Sequence, residues 1–332
     1  MRCQVCGREN PEGGLYCENC GAIVVAHLRP DDPKLKDVTN EIRGIVASRR
    51  DSDIILPAWI IWFPILLYVG STAAMLVAAF AYFPGDPGDF EEWLRSTLTA
   101  YGVIIVISAV NQLILATIAF FLIKRANGHA RREARLKAAI TKLVRAAAGD
   151  SREGQAALSR ELQQLELMRE SGVMERSPTM WALLVALPII GTLLFLLSLV
   201  SALETASFIS SLLAGIALAA LFGLAGFVAN VYVFYFLGKE LSDHEDRWTD
   251  FAMSARTLLS RLGLSPGRGF QLAHSPDRSF ALYLVLLIFI PFFSYYWWYA
   301  LIKDPNEHYR NQWLFEDNLL ETLSHQPARP TS

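Results

Sequence analysis

Hydrophobic and polar positions separate sharply along the 332-residue chain. Residues 54–85, 96–123, 177–203, 205–238 and 279–302 contain no Asp, Glu, Lys or Arg, over 32, 28, 27, 34 and 24 residues. About 20 apolar residues cross the hydrocarbon core of a bilayer as a helix, so each stretch is long enough. Between them the chain turns polar with helical periodicity. In 33–50, Leu35, Val38, Ile42, Ile45 and Val46 fall on one stripe behind Pro33, which predicts a short helix at a membrane interface. Residues 128–148 and 151–171 read as a polar helical pair. Asp150-Ser151 breaks it, Gly172 and Pro178 stop it, and Leu158, Leu162, Leu165 and Met168 recur at helical spacing. Residues 243–262 are again amphipathic, while Pro84-Gly85-Asp86-Pro87-Gly88 and 263–278 read as turn and loop.

The predicted fold is an α-helical integral membrane protein of four full spans plus a fifth apolar segment, which is either a crossing or re-entrant. The segments are a cysteine module (1–27), an amphipathic linker helix (28–53), a first transmembrane hairpin (54–127) and a helical pair (128–176). A second hairpin (177–242), an interfacial helix and loop (243–278), the fifth segment (279–302) and an amphipathic tail (303–332) follow. A purely soluble fold is excluded.

Net charge is only −2, but its distribution carries an orientation. Residues 124–176 hold 12 Lys+Arg against 7 Asp+Glu, whereas 86–95 is net −3 and the 202–206 turn has only Glu204. The positive-inside rule then puts 124–176 and the Arg49–Arg50 flank in the cytosol and both short loops outside. The first apolar run begins after fifty residues and is too long for a cleavable signal. It reads as a signal anchor in the plasma (cytoplasmic) membrane that leaves the N-terminus cytoplasmic.

Three sites match one another: Leu122-Ile-Lys124-Arg-Ala-Asn127-Gly-His129, Leu237-Gly-Lys239-Glu-Leu-Ser242-Asp-His244 and Leu301-Ile-Lys303-Asp-Pro-Asn306-Glu-His308. Arg131, Arg247 and Arg310 follow, and Pro64, Pro188 and Pro291 sit inside the preceding apolar runs. Three of the six histidines occupy this one position, which argues for a threefold internal repeat. One reading is anchor and cap. The lysines snorkel, Asn127, Ser242 and Asn306 cap following helices, and each histidine stays neutral in a first turn. A second reading has Lys124, His129, Lys239, His244, Lys303 and His308 form an anion or lipid-phosphate pocket. A third has the histidines hold a second metal ion. Unit three spans only twelve residues from Pro291 to Lys303, against fifty to sixty in the others. The tail's 5 acidic and 3 basic residues suit an outside location, but the His308 motif favours a cytoplasmic tail.

All four cysteines lie in Cys3-x2-Cys6 and Cys17-x2-Cys20, each pair followed by glycine. Paired knuckles of this spacing predict a tetrahedral thiolate site for one structural Zn2+. Disulfides and redox chemistry are the rivals, which a cytosolic location and the pairing disfavour. The stretch Cys3-Gln-Val-Cys6-Gly7 to Cys17-Glu-Asn-Cys20-Gly21 resembles the short zinc ribbons that open many bacterial and archaeal membrane proteins. That resemblance covers about 21 residues and implies a structural or protein-binding module. Arg2 and Arg8 against Glu9, Glu12 and Glu18 leave no basic footprint for nucleic acid. The Tyr295-Tyr296-Trp297-Trp298-Tyr299 to His308 stretch is also similar to a family of small membrane domains, a likeness that brings no activity with it.

Asn111, Gln112 and Asn230 fall inside apolar runs, where amides are costly unless paired. A helix–helix hydrogen bond is the plain reading and a solute path the alternative. Gly215, Gly223 and Gly226, with Ala219 and Ala220, offer small faces for close packing. Phosphate-loop, His-Glu-x-x-His and Gly-x-Ser-x-Gly motifs do not occur. Glu240, Asp243, Glu245 and Asp246 read as a solvated face. The sequence therefore predicts a non-enzymatic scaffold, sensor or adaptor that binds the bilayer and, through its ribbon, a cytosolic protein. A small-solute transporter or channel, or a membrane-surface enzyme using His129, His244 and His308, are the alternatives.

Overall fold

The computed structural model describes residues 2–3, 6–11, 17–22, 33–81, 90–148, 152–170, 175–204, 208–262, 264, 276, 278–290 and 292–324. The expected turn at 84–88, the break at Asp150-Ser151, Gly172, the centre of the 202–206 turn, Pro291, most of the 263–278 loop and the tail beyond 324 lie outside these residues. Burial of Leu158 is likewise outside the description. The described chain is helical, with a single isolated bridge between Arg2 and Glu9. Its helices are α1 (Pro33–Ala47), α2 (Arg49–Ser52), α3 (Trp62–Ala81), α4 (Phe90–Ala148), α5 (Arg152–Glu170) and α6 (Pro178–Val185). They continue as α7 (Leu187–Glu204), α8 (Phe208–Arg261), α9 (Phe280–Phe289) and α10 (Phe293–Ser324), and a 3-10 turn, Ala58–Ile61, precedes α3.

Four helical stretches are long and apolar enough to cross a membrane: Ala58–Val77, and parts of Gly102–Ala147, Pro178–Ser201 and Ser210–Arg261. The prolines explain local breaks. Pro64 sits in the first turn of α3, where a missing N–H is harmless, while Pro188 removes an interior bond and separates α6 from α7. Ser177 and Ser279 cap α6 and α9 by accepting from Met180 N and Leu282 N.

Helices α4 and α8 correct the expectation most. Residues 128–148 are not a separate helix, nor is 243–262: both continue the apolar helices before them as single rods of 59 and 54 residues. Neither Asn127 nor Ser242 lies at a helix start, so neither caps. Asn306 is likewise interior to α10, which runs unbroken through Pro305. The sequence suggested breaks because polarity changes abruptly there. Asn127-Gly128 and Ser242-Asp243 are also weak helix formers, but packing on either side outweighs that penalty and the backbone continues.

The polar halves of α4, α8 and α10 share a core with α1 and α5. The α1 stripe turns inward, with Leu35, Ile42, Ile45 and Val46 buried against Leu136, Leu143, Phe251 and Phe315. This helix therefore belongs to the bundle and does not lie apolar-face-down on an interface. Leu162 and Leu165 of α5 join the same core, with Met168 packed against it. Positions seven and eleven residues after each histidine are buried in register: Leu136, Phe251 and Phe315, then Ile140, Ala255 and Leu319. This is the spacing of one helical face.

At the apolar end, α7 lies close along α8. A Cβ on Gly226 would meet the Pro188 ring at 2.3 Å, and one on Gly215 would meet Ser198 Cβ at 2.5 Å. Gly223 has open space instead, and Gly191, not singled out from sequence, abuts Ala219 and Phe222. The fifth apolar segment is not one helix. Helix α9, ten residues and so about 15 Å long, ends before Phe292, whose φ of 71° turns the chain. Helix α10 then folds back: Tyr283 meets Trp297 edge-on, and Arg278 reaches Asp304 at 2.6 Å. The segment is a short hairpin whose two ends lie at one level.

Candidate metal centres

The cysteine module is two copies of one turn. Gly7 N donates to Cys3 O and Gly21 N to Cys17 O, at 2.9 and 2.8 Å, and both glycines have positive φ, 75° and 70°. An L-residue would be strained there. The four thiols are free. Sγ separations are 3.6 Å for Cys3–Cys20 and 3.5 Å for Cys6–Cys17. A tetrahedral thiolate centre with ~2.3 Å bonds has edges of about 3.8 Å. The four cysteines could therefore hold a metal ion with little movement. At Cys17 desolvation works against the charged form, but amide hydrogen bonds from Cys20 and Asn19 overcome it and hold the thiol down at about 6.

The second centre forms where α4, α8 and α10 cross the polar boundary. His129, His244 and His308, one from each helix, are all buried and lie in one layer. Nε2 of His244 is 3.1 Å from Nε2 of His129 and 3.1 Å from Nε2 of His308. Glu133, one turn after His129, brings Oε2 within 2.8 Å of His244 Nε2 and 3.7 Å of His129 Nε2. Its other oxygen takes Lys137 Nζ at 2.8 Å.

Carboxylates orient the rings from behind. His129 Nδ1 lies 3.0 Å from Asp53 Oδ1, and His308 Nδ1 lies 3.2 Å from Glu245 Oε1. Asp53 also accepts from Arg132 at 2.7 Å, Trp313 Nε1 at 2.8 Å and Ser52 Oγ at 2.9 Å. Glu245, expected on a solvated face, is instead buried. Arg132 bridges Asp53 and Glu316, the latter at 2.6 Å, with all three side chains shielded from solvent. Two carboxylates share one guanidinium, and their fates diverge. Asp53 is buried, yet its bonds to His129 and Arg132 hold it well below the usual range. Burial outweighs the Arg132 contact at Glu316 and pushes it up to about 7. Burial also lowers His129 to about 4, despite Asp53, and lowers His308. For His129 and His308, the neutrality expected from helix-start dipoles thus comes from desolvation.

The other residues of the three matching motifs divide into two groups. Lys124, Lys239 and Lys303 are exposed, and the latter two pair along their own helices with Asp243 and Glu307. They do not join the histidines, which leaves the anion-pocket reading without its cations. The asparagines act on backbone. Asn127 donates to Arg176 O at 2.7 Å and accepts from its N at 3.3 Å. Asn306 does the same to Leu56, at 2.7 and 3.3 Å. Both clamp the segment that enters an apolar helix. Pro305 deprives Leu301 O of its helical donor, and buried Arg125 supplies one at 2.7 Å while donating to Asn306 at 2.8 Å.

Among the amides inside apolar helices, Asn111 Nδ2 donates across helices to Tyr295 OH at 3.1 Å, and Asn230 donates to Gly226 O of its own helix at 2.8 Å. Asn111 Oδ1 and Gln112 Oε1 are buried without partners. Sequence reasoning missed Asp53, Arg132, Glu133 and Glu245 around the histidines. Glu133, four residues after His129 and so on its face, was the available signal. Asp53 carried none. No family model, no curated protein and no solved structure matches the chain.

Proposed function

We propose that the protein is a non-enzymatic integral membrane scaffold, which presents a zinc-bearing ribbon and a helical bundle on the cytoplasmic face of the plasma membrane. The observation that carries this reading is the continuity of α4 and α8. Each passes unbroken from apolar helix into polar bundle, so the bundle is coupled rigidly to whatever the apolar belt sits in. The outward display of Trp59, Leu66, Val77, Phe80, Leu197 and Leu221 suits lipid. The level ends of the α9–α10 hairpin favour a re-entrant fifth segment and a tail on the bundle's side. Asn127 clamps the entry to α6 and Asn306 the entry to α3. Ser242 lines a cavity with Pro276 and Ser279 at the entry to α9. That cyclic pattern supports three repeated units closed into a ring. The same cavity, about 480 Å³, sets Phe234, Tyr235 and Trp297 beside Lys239 and Arg278, whose charges Asp243 and Asp304 in its wall already answer.

The ribbon supplies the protein-binding surface in this reading, with zinc as its ion. Deleting residues 1–27 abolishes recovery of the partner in a crosslinked pull-down from native membranes and leaves the bundle's helicity intact. Undiminished recovery would sink the adaptor. A second reading, a membrane-surface enzyme, is favoured by one observation: a slot of about 50 Å³ reaches His129 and His244 between Leu122, Leu237 and Tyr309. A solute path gains no support from Asn111 or Asn230, whose amides donate inside the protein. Asn111→Leu altering flux in proteoliposomes would revive it.

A further inference from the structure

The histidine layer holds more lone pairs than hydrogens. A ring nitrogen that faces a carboxylate carries the hydrogen. Nδ1 of His129, opposite Asp53, and Nδ1 of His308, opposite Glu245, are therefore the protonated positions. In both neutral rings Nε2 is then an acceptor. Both point at His244 Nε2 from 3.1 Å, and Glu133 Oε2 approaches it at 2.8 Å. His244 offers one hydrogen there at most, against three acceptors. Glu133 Oε2 is buried without any hydrogen-bond partner. Buried acceptors left facing one another cost free energy, and of these four side chains, from three helices, His129, His308 and Glu133 are held in place by Asp53, Glu245 and Lys137. A cation at the centre satisfies all four at once.

We propose that His129, His244, His308 and Glu133 bind one divalent metal ion of the zinc class through three Nε2 atoms and one carboxylate oxygen, independently of the cysteines. Metal–nitrogen bonds of ~2.0–2.1 Å place tetrahedral ligands about 3.3–3.4 Å apart, close to the 3.1 Å between adjacent imidazoles and between the 2.8 and 3.7 Å from Glu133. Imidazole and carboxylate donors suit zinc better than calcium or magnesium. Asp53 and Glu245 are the outer carboxylates that fix ring orientation in such centres. Lys137 occupies Glu133 Oε1 and leaves Oε2 as the single free oxygen. With four protein ligands the centre is closed, as structural sites are. It would pin α4, α8 and α10 at one level, directly beneath the apolar belt, so metal binding would tighten a geometry that the bundle already has. This goes beyond the scaffold reading and does not depend on the ribbon or its partner.

The test uses the full chain in detergent with Cys3, Cys6, Cys17 and Cys20 all changed to Ser, stripped with chelator and dialysed against zinc. About one zinc per chain is expected, falling below about 0.1 when His129→Ala and His308→Ala are added. Loading with cobalt gives visible ligand-field bands and no thiolate charge-transfer band. Zinc below about 0.1 in the four-serine protein, or an equal content with the histidines removed, overturns the proposal. If the histidine variants lose helicity, zinc-dependent melting of the four-serine protein decides. A rise of several degrees that Glu133→Gln diminishes supports the site, and no rise refutes it.

Discussion

In the cysteine module every donor lies within 18 consecutive residues, Cys3 to Cys20, on two copies of the same glycine-ended turn. The histidine layer draws donors from residues 129 to 308, on three helices that meet only because the bundle folds. Donor surroundings differ as much. Cys6 and Cys20 are exposed, and among the described residues of the module Cys3, Cys17 and Ala22 are the buried apolar side chains. So short a module builds a small core at best, and an ion at the thiolates would be the main cohesive force. Around the histidines the order reverses. Leu136, Phe251 and Phe315 form the core two turns beyond the layer, and a web of charge already fixes the rings. One cluster would be folded by its ion. The other is folded in advance and would be tuned by it.

The largest expected effect tests that pre-organisation directly. Arg132 is fully buried between Asp53 and Glu316, so Arg132→Ala leaves two carboxylates facing each other without a cation. Breaking a buried pair by removing one partner costs about 3–5 kcal/mol. Thermal unfolding followed by circular dichroism should show that loss in chelator, where no ion contributes. A loss under ~1 kcal/mol would mean that the web does not hold the layer.

Acid should discriminate the regions next. His129 is held at about 4 in the folded layer against an ordinary 6.5, so below 6.5 the unfolded chain gains a proton that the folded one refuses. In chelator its contribution falls as pH drops from about 6.5 to about 4, by up to ~3 kcal/mol. Glu316 works the other way. Raised to about 7 from 4.5, it favours the folded state as pH falls through that window. The measurement is therefore best made with Glu316→Gln, and His129→Gln in that background should shrink the acid loss and leave the share of His308, which burial also lowers. A profile unchanged by His129→Gln would place the acid sensitivity elsewhere.

How much of this was legible from sequence follows the same division. The gathering of the four thiols could be read, because spacing along the chain is its geometry. Apolar runs, the α1 and α5 stripes and the repeat positions were legible for a similar reason, since helical period fixes which residues share a face. The level of His129, His244 and His308 was visible as a repeat, but whether they face one another depends on how three helices close. Caps at Asn127 and Ser242 were misread because polarity and local helical propensity both drop there, while the packing that carries the helix through is not visible along the chain. Asp53 was beyond reach. It joins His129 across 76 positions, and nothing in its neighbourhood marks it except the start of an apolar run.

Asp53 offers a smaller, sharper comparison, since it touches one ligand and is not itself a donor. Asp53→Asn keeps the shape but withdraws the negative charge from His129 Nδ1. Outer-shell carboxylates typically contribute 10–100-fold to metal affinity, so zinc affinity of the four-serine protein should fall by about that factor. Affinity at the thiolates, measured in the parent with His129→Ala and His308→Ala, should not change when Asp53→Asn is added. Equal weakening at both centres would point to general loss of structure.

The smallest effect belongs to the repeat's lysines, and their silence is informative. Lys239 and Lys303 are exposed and meet Asp243 at 3.3 Å and Glu307 at 3.5 Å, each four residues on along the same helix. Exposed pairs of this kind contribute under about 0.5 kcal/mol. The triple variant Lys124→Ala, Lys239→Ala, Lys303→Ala should therefore melt close to the parent and bind zinc in the four-serine background with unchanged affinity. An anion pocket at the layer requires the opposite. There the lysines would be the dominant cations, and their removal would abolish any stabilisation by inorganic phosphate or by vesicles rich in anionic lipid. Stabilisation by anionic vesicles but not by phosphate, lost in the triple variant, would assign the lysines to the membrane surface. The histidines would then remain free to hold a metal.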